Sequence, residues 1–151
     1  MTCDEKNRLS GPDFSEALFS LIRRTACDLP EDVEQALKRA CDHEAPNSTA
    51  QKVLSLFLEN VGLARKKQIP LCQDTGLPLF FIRHPSGLSR QTIEKACADA
   101  VARATREQFL RPNAVDPVTA RNSGNCVGAS IPGVYCEEGD SEALSVALML
   151  K

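Results

Sequence analysis

Three successive segments with helical hydrophobic spacing occupy the first 67 residues, and they constrain the fold more than any other feature of this sequence. Apolar residues in the first segment recur at i, i+4, i+7 and i+8, which predicts a helix over residues 14–27. Pro30 suits the first turn of a second helix that ends near His43. Ser48 can cap a third helix that ends at residue 67. The first part of the chain is therefore predicted to be helical.

The second part of the chain is richer in turns and loops, because most of the eight glycines and nine prolines lie in it. A wholly apolar run at 79–82 predicts a buried strand, and residues 143–150 predict another. Ser89 can cap a helix between them, whereas residues 110–128 are aperiodic and predict a long loop. The sequence thus predicts an α/β fold with a helix-rich N-terminal half packed on a small sheet.

Length and charge exclude several functional classes. The 151 residues suffice for one domain with its own core, and the formal net charge of −2 argues against a nucleic-acid partner. The chain has a polar start and no long apolar run, so we expect neither a signal peptide nor a membrane span. We therefore expect a cytoplasmic protein.

The seven cysteines are not expected to form disulfides in a reducing compartment. None forms a C-x-x-C pair, which disfavours a zinc ribbon or a thioredoxin-like site. Cys27, Cys41 and Cys97 fall at apolar helical positions and are interpreted as small buried side chains. His43 and His84 are too few for a histidine metal site, and we expect both at the surface.

Two polar segments lie where loops meet predicted buried structure, and they contain the candidate functional residues. In residues 72–76 (CQDTG), a thiol, an amide and a carboxylate precede a glycine that permits positive φ, so the turn can offer a soft metal ligand. In residues 110–119 (LRPNAVDPVT), the guanidinium of Arg111 can bind a carboxylate bidentately. Each segment also has a purely structural interpretation. Residues 72–76 can form an ordinary turn in which Asp74 caps its own backbone. Arg111 can pair with Asp116 or another local acid.

The two segments occur in this order, are joined by a predicted strand and helix, and are followed by Asn122-Ser123-Gly124. In this arrangement they resemble the iron-sulfur hydro-lyases. This family comprises class I fumarate hydratases and L(+)-tartrate dehydratases, and the resemblance to their alpha-type region runs from about residue 14 to the last residue. It implies a hydro-lyase that reversibly adds or removes water at a small dicarboxylic acid. A 4Fe-4S iron-sulfur cluster held by three thiolates would act as the Lewis acid.

The resemblance also implies roles for individual residues. Cys72 corresponds to a cluster ligand, Gln73 and Asp74 to active-site residues that contact the substrate, and Arg111 to an arginine that binds a substrate carboxylate. Asp74 is the candidate catalytic residue. The base and the other two cluster cysteines are expected outside this chain, in a C-terminal domain or a beta subunit of the same enzyme. Cys126 stands where the family commonly has asparagine, so we do not expect it to ligate iron.

We therefore expect residues 1–13 to be a disordered or loosely packed N-terminus, and 14–151 to be part of a larger hydro-lyase N-terminal domain. The chain ends before the glycine-rich loop of the family, so the isolated chain is expected to be incomplete and inactive. We also expect a homo-oligomer, with the edge of the last predicted strand as a site of self-association. Two alternatives remain. One is a truncated or degenerate non-catalytic subunit that only associates with other subunits. The other is an aspartic protease, because residues 74–76 match its catalytic triplet, although the helical content argues against it.

Overall fold

The computed structural model of this chain describes residues 12–72, 76–139 and 143–151. Their helices and strands follow in the order α1 (Pro12–Cys27), α2 (Glu31–His43), α3 (Thr49–Lys67), β1 (Pro78–Pro85), α4 (Arg90–Arg106), β2 (Gly133–Gly139) and β3 (Ser145–Leu150). The predicted N-terminal segment 1–13 lies outside the described residues, except for Pro12 and Asp13 in the first turn of α1. The mixture of helices with a small sheet confirms the predicted α/β class.

The starts of α3 and α4 carry the caps that the sequence predicts. The Ser48 Oγ accepts a hydrogen bond from the Gln51 N–H at 3.1 Å, and the Ser89 Oγ accepts one from the Thr92 N–H at 3.3 Å. Each bond satisfies one of the N–H groups that the start of a helix leaves without a partner. Because these bonds are local, the sequence alone predicts where both helices start, and the structure confirms both starts.

Three strands form one sheet in the order β2-β1-β3. β1 pairs with β2 in parallel and with β3 in antiparallel orientation. β1 and β3 are the two strands that the apolar runs predict. The sequence does not predict β2, because its residues GVYCEEG include two glycines and two glutamates and an apolar run of only three residues.

α1 and α4 cover one face of this sheet. Phe80 and Ile82 of β1 point into the core, whereas Phe81 and Arg83 alternate with them on the exposed face. The core also contains apolar side chains of both helices: Phe14, Leu18, Phe19, Ile22, Ile93, Cys97, Ala100, Val101 and Ala104. Cys27 and Cys97 are both buried, as predicted.

α2 and α3 pack on each other and reach the rest of the fold through α1. α2 has no buried residue, and only Val61 and Ala64 are buried in α3. Leu56 and Phe57 are 63% and 55% exposed, so part of the apolar surface of α3 is uncovered. Cys41, predicted to be buried, is only partly so because no core lies beneath α2. The helical half therefore meets the sheet through α1.

His84 is buried, and the predicted surface position is wrong. The residue lies two positions after Ile82 on β1, so the alternation of the strand turns its side chain toward the core. Its Nδ1 lies 3.0 Å from the Pro85 carbonyl oxygen, which gives the ring a hydrogen-bond partner. None of the described helices has the length and apolar character that crossing a membrane requires.

Candidate functional site

The CQDTG segment is held at both of its ends. Before it, the Leu71 N–H donates to the Ala26 carbonyl at the end of α1 (2.8 Å), and the Asn60 side chain of α3 donates to the Leu71 carbonyl (3.2 Å). After it, the backbone of Leu77 exchanges hydrogen bonds of 3.0 and 3.1 Å with Lys151 at the end of β3. Cys72 is exposed at the start of this segment. Leu71 and Leu77, which flank the segment, are therefore bonded to helical and sheet elements respectively.

Gln73 and Asp74 lie outside the residues that the structure describes, so the roles predicted for them stay predictions. Thr75 lies outside as well. The segment is described again from Gly76, which is buried.

Gly76 packs against the second predicted segment. A Cβ atom built on Gly76 would lie 2.6 Å from the Asn113 Cγ and 2.8 Å from its Cβ, closer than real Cβ atoms approach another heavy atom. Position 76 therefore accepts only glycine while Asn113 keeps its place. The structure thus brings the CQDTG and LRPNAVDPVT segments into direct contact.

Cys126 strengthens this contact from a third point in the chain. Its fully buried Sγ donates a hydrogen bond to the Gly76 carbonyl oxygen at 2.5 Å. Burial raises the pKa of the Cys126 thiol, and the backbone N–H groups of Asn113 and Ala114 oppose that change only in part. The thiol is therefore protonated at neutral pH and acts as a donor. The proton of Cys126 is thus used in the bond to Gly76, and the expectation that this residue is no iron ligand stays a prediction.

The predicted long loop is ordered by hydrogen bonds within itself. The Ser123 N–H donates to the Ala114 carbonyl at 2.9 Å, and the Asn122 side chain donates to the Pro112 carbonyl. Further along, the Val127 N–H donates to the Asn125 Oδ1 at 3.0 Å. The Asn125 bond, between residues two positions apart, is typical of turns, whereas the Asn122 bond joins two parts of the loop ten residues apart.

Asp116 uses its carboxylate inside this loop. Its Oδ1 accepts the N–H groups of Thr119 at 2.7 Å and Val118 at 2.9 Å. The hydrogen bonds from Thr119, with the one from Val118, lower the pKa of Asp116. Arg111 is exposed and takes part in none of the ion pairs found among residues 12–72, 76–139 and 143–151. The interpretation of Arg111 as the partner of Asp116 is therefore wrong.

A groove of about 740 Å³ opens beside Cys72. Leu148 and Leu150 of β3 supply part of its apolar wall, and Arg65 of α3 supplies a cation. The Arg65 guanidinium lies 2.6 Å from the carboxylate of Asp28 and 2.5 Å from that of Glu34. Two carboxylates thus neutralise the charge of Arg65, which makes it a poor partner for an anionic ligand.

The chemistry of the donors fits one corner of an iron-sulfur cluster and not a whole site. Among the described residues, no three His, Cys, Asp or Glu side chains form a group that could hold a metal ion. Cys72 is an exposed thiol on a groove, whereas Cys126 is a buried hydrogen-bond donor. Cys136 is partly buried, and desolvation raises the pKa of its thiol. The described residues therefore offer one suitable thiol.

The fold is an α/β unit in which the two candidate segments are in contact. The sequence model of the family described as fumarate hydratase (fumerase) matches residues 15–151, so the chain belongs to this family. The match covers both candidate segments and the three strands of the described sheet.

Two relatives show how much of such a protein is present. The protein named "Putative fumarate hydratase class I" of Geobacillus stearothermophilus is 38% identical over 136 residues, which cover 90% of this chain and 26% of the relative. The protein named "L(+)-tartrate dehydratase subunit alpha" of Escherichia coli is 32% identical over 140 residues, which cover 88% of this chain and 45% of the relative. The chain therefore spans less than half the length of either protein.

Sequence reasoning missed the part that Cys126 plays. The asparagines and glycines around it indicate a loop held by its own side chains. The acceptor of the thiol proton, however, lies 50 residues earlier in the chain, and no local pattern indicates it.

Proposed function

We propose that residues 14–151 form the N-terminal part of the alpha-type catalytic domain of an iron-sulfur hydro-lyase. The enzyme would reversibly add or remove water at a small dicarboxylic acid. The contact of Gly76 with Asn113 carries this proposal, because it joins the two segments to which the resemblance assigns substrate and cluster binding. The family match supports the reaction class, and the names of the relatives make fumarate and tartrate the candidate substrates.

We propose Cys72 as the cluster ligand that this chain contributes. The thiol is exposed, borders a groove, and follows a backbone segment anchored to α1 and α3. A bound 4Fe-4S cluster would supply a Lewis acid for the hydroxyl group of the substrate. The remaining ligands would come from a C-terminal domain or a beta subunit. The name of the Escherichia coli relative, an alpha subunit, supports such a partner.

Arg111 is the proposed binding residue for a substrate carboxylate. Its guanidinium is exposed and makes no ion pair with a described acid, so its N–H groups can bind a carboxylate. The carbonyl of Arg111 accepts the Asn113 N–H at 2.8 Å, which fixes the backbone beside the Gly76 contact. Gln73 and Asp74 lie between Cys72 and Gly76 in the sequence and are proposed to bind the substrate. Asp74 is also proposed to take part in catalysis.

Activity assays on the enzyme that contains this chain test the proposal. The enzyme is prepared without oxygen, and the hydration of fumarate and the dehydration of L(+)-tartrate are measured beside its iron content. We expect one of the two reactions to increase in proportion to iron. Full iron content with neither reaction would contradict the proposal. An assembled protein with neither iron nor activity would favour the non-catalytic subunit that only associates with others.

A further inference from the structure

We propose that Cys126 is a positioning residue of this site: its thiol holds Gly76, at the end of the CQDTG segment, against the loop that carries Arg111. The inference rests on the proposed hydro-lyase function. Cys126 itself lies in neither segment, and the family resemblance assigns it no role.

The geometry of the thiol supports this role. The Cys126 side chain is 0% exposed, and its Sγ donates to the Gly76 carbonyl at 2.5 Å. The loop that contains Cys126 is bonded to the other segment, because the Ser123 N–H donates to the Ala114 carbonyl at 2.9 Å and Val115 pairs with Asn122 in a β-bridge. The thiol thus joins Gly76 to a loop that is itself tied to the second segment, and buried polar groups of this kind are costly to leave without partners.

The backbone conformation of Cys126 also supports the positioning role. Its φ is 57°, in the left-handed region that side chains other than glycine, asparagine and aspartate rarely adopt. The Asn125 side chain holds the adjacent Val127 N–H, and Gly124 is also left-handed. Such a conformation persists where the surroundings determine it strongly, which is common at functional sites.

The consequence for substrate binding follows from chain distance. Arg111 precedes Asn113 by two residues, and Cys72 precedes Gly76 by four. A substrate that contacts iron at Cys72 and places a carboxylate at Arg111 needs both segments in their correct relative positions. Because a displacement of about 1 Å can lower a rate about 100-fold, loss of this link should impair catalysis without removing any group that touches the substrate.

Three variants separate positioning from general stability. Cys126→Ala removes the donor, whereas Cys126→Ser keeps a donor with a shorter bond to Cβ. Cys97→Ala is the matched control, because Cys97 is also 0% exposed but packs in the core on α4. Both alanine variants remove one buried sulfur, so their effects on thermal stability should be comparable.

In the complete enzyme, we expect Cys126→Ala to lower kcat/KM about 10- to 100-fold at unchanged iron content per chain. Cys126→Ser should recover most of that loss, and Cys97→Ala should stay within about twofold of the original enzyme even if its melting temperature falls equally. Equal kcat/KM in Cys126→Ala and Cys97→Ala would overturn the proposal.

Amide hydrogen exchange in the full 151-residue chain gives a readout that does not depend on activity. The Leu77 N–H, directly after the first segment, donates to the Lys151 carbonyl, and the Ser123 N–H donates to the Ala114 carbonyl of the second segment. We expect Cys126→Ala to speed exchange at both about tenfold, while Cys97→Ala leaves both unchanged. Unchanged exchange in Cys126→Ala would refute the link. If the unsubstituted enzyme has no hydro-lyase activity, that result would instead refute only the proposed function.

Discussion

Gly76 and Asn113 are packed so closely that the space for a side chain at position 76 is already occupied. A Cβ on Gly76 would lie 2.6 Å from the Asn113 Cγ. The two residues lie in different segments and meet only because β1, α4 and the following loop return the chain to the start of the sheet. The glycine at the end of CQDTG is thus required by a tertiary contact.

Replacing this glycine should therefore destabilise the fold. We expect Gly76→Ala to lower the free energy of unfolding by about 1–3 kcal/mol, the usual cost of an overpacked buried site. The double variant Gly76→Ala with Asn113→Gly removes the clashing side chain and should recover part of that loss. Urea unfolding of the chain measures both values, and a Gly76→Ala protein as stable as the original would contradict the contact.

Gly62 provides the matched control for this substitution. It lies inside α3, and a Cβ there would meet nothing within 4 Å. Gly62→Ala should therefore stabilise the protein by about 0.5–1 kcal/mol, because alanine loses less backbone entropy in a helix. Opposite signs for the two glycine substitutions would show that the effect at position 76 comes from its neighbour.

The local parts of the fold could be predicted, and the parts set by distant pairing could not. α3 and α4 begin at Ser48 and Ser89 because cap residues and apolar spacing are local signals. β2 is a strand because it pairs with β1 from Leu79↔Gly133 onward, and its own residues give no such signal. The exposure of Phe57 depends on what covers α3, which a periodic pattern does not show.

The candidate site divides in the same way. The segments at 72–76 and 110–119 stand out because their residue types are chemically useful. Their contact rests on the packing of Gly76 against Asn113, and the thiol of Cys126 bonds Gly76 from 50 residues further along the chain. Physical reasoning on the sequence therefore finds the candidate groups, but only the fold shows which residues hold them together.

Stability should depend on pH through the ion pairs of Arg65, which links α2 and α3 to the end of α1. Its hydrogen bond, aided by that of Lys38, lowers the pKa of Glu34 to about 2 from 4.5. A lowered carboxyl pKa stabilises the fold above the unfolded value and loses that effect as pH falls through the folded value. The contribution of Glu34 should thus be complete above pH 4.5 and decline toward pH 2.

The variant Glu34→Gln tests this dependence. We expect it to lower the melting temperature modestly at pH 7, and we expect the difference from the original protein to shrink at pH 3. Glu59→Gln is the control, because Glu59 is an exposed residue of α3 outside the ion pairs found among the described residues. A difference for Glu34→Gln that grows on acidification would contradict the assigned role of Arg65.

Iron binding should depend on Cys72 among the cysteines of this chain. In the complete enzyme, Cys72→Ser should abolish the broad visible absorption of the cluster and reduce iron content, because a serine oxygen is a poor ligand for this iron site. Cys41→Ser is the control, since the partly buried Cys41 thiol lies 3.4 Å from the Ser55 hydroxyl and a serine can keep that contact. Normal iron content in Cys72→Ser would exclude Cys72 as a ligand.

The fork geometry of Arg111 should matter more than its charge. Loss of a buried carboxylate's bidentate partner costs about 2–5 kcal/mol, which corresponds to about 30-fold to several thousand-fold in kcat/KM. Arg111→Lys keeps the charge but presents a single ammonium, so it should lose much of this factor at normal iron content. Arg106→Lys, at the exposed end of α4, should leave kcat/KM within about twofold, as expected for a surface change. Steady-state assays with fumarate and L(+)-tartrate measure both variants. Near-normal efficiency in Arg111→Lys would remove this arginine from the substrate site, because no point charge can reproduce two parallel hydrogen bonds to one carboxylate.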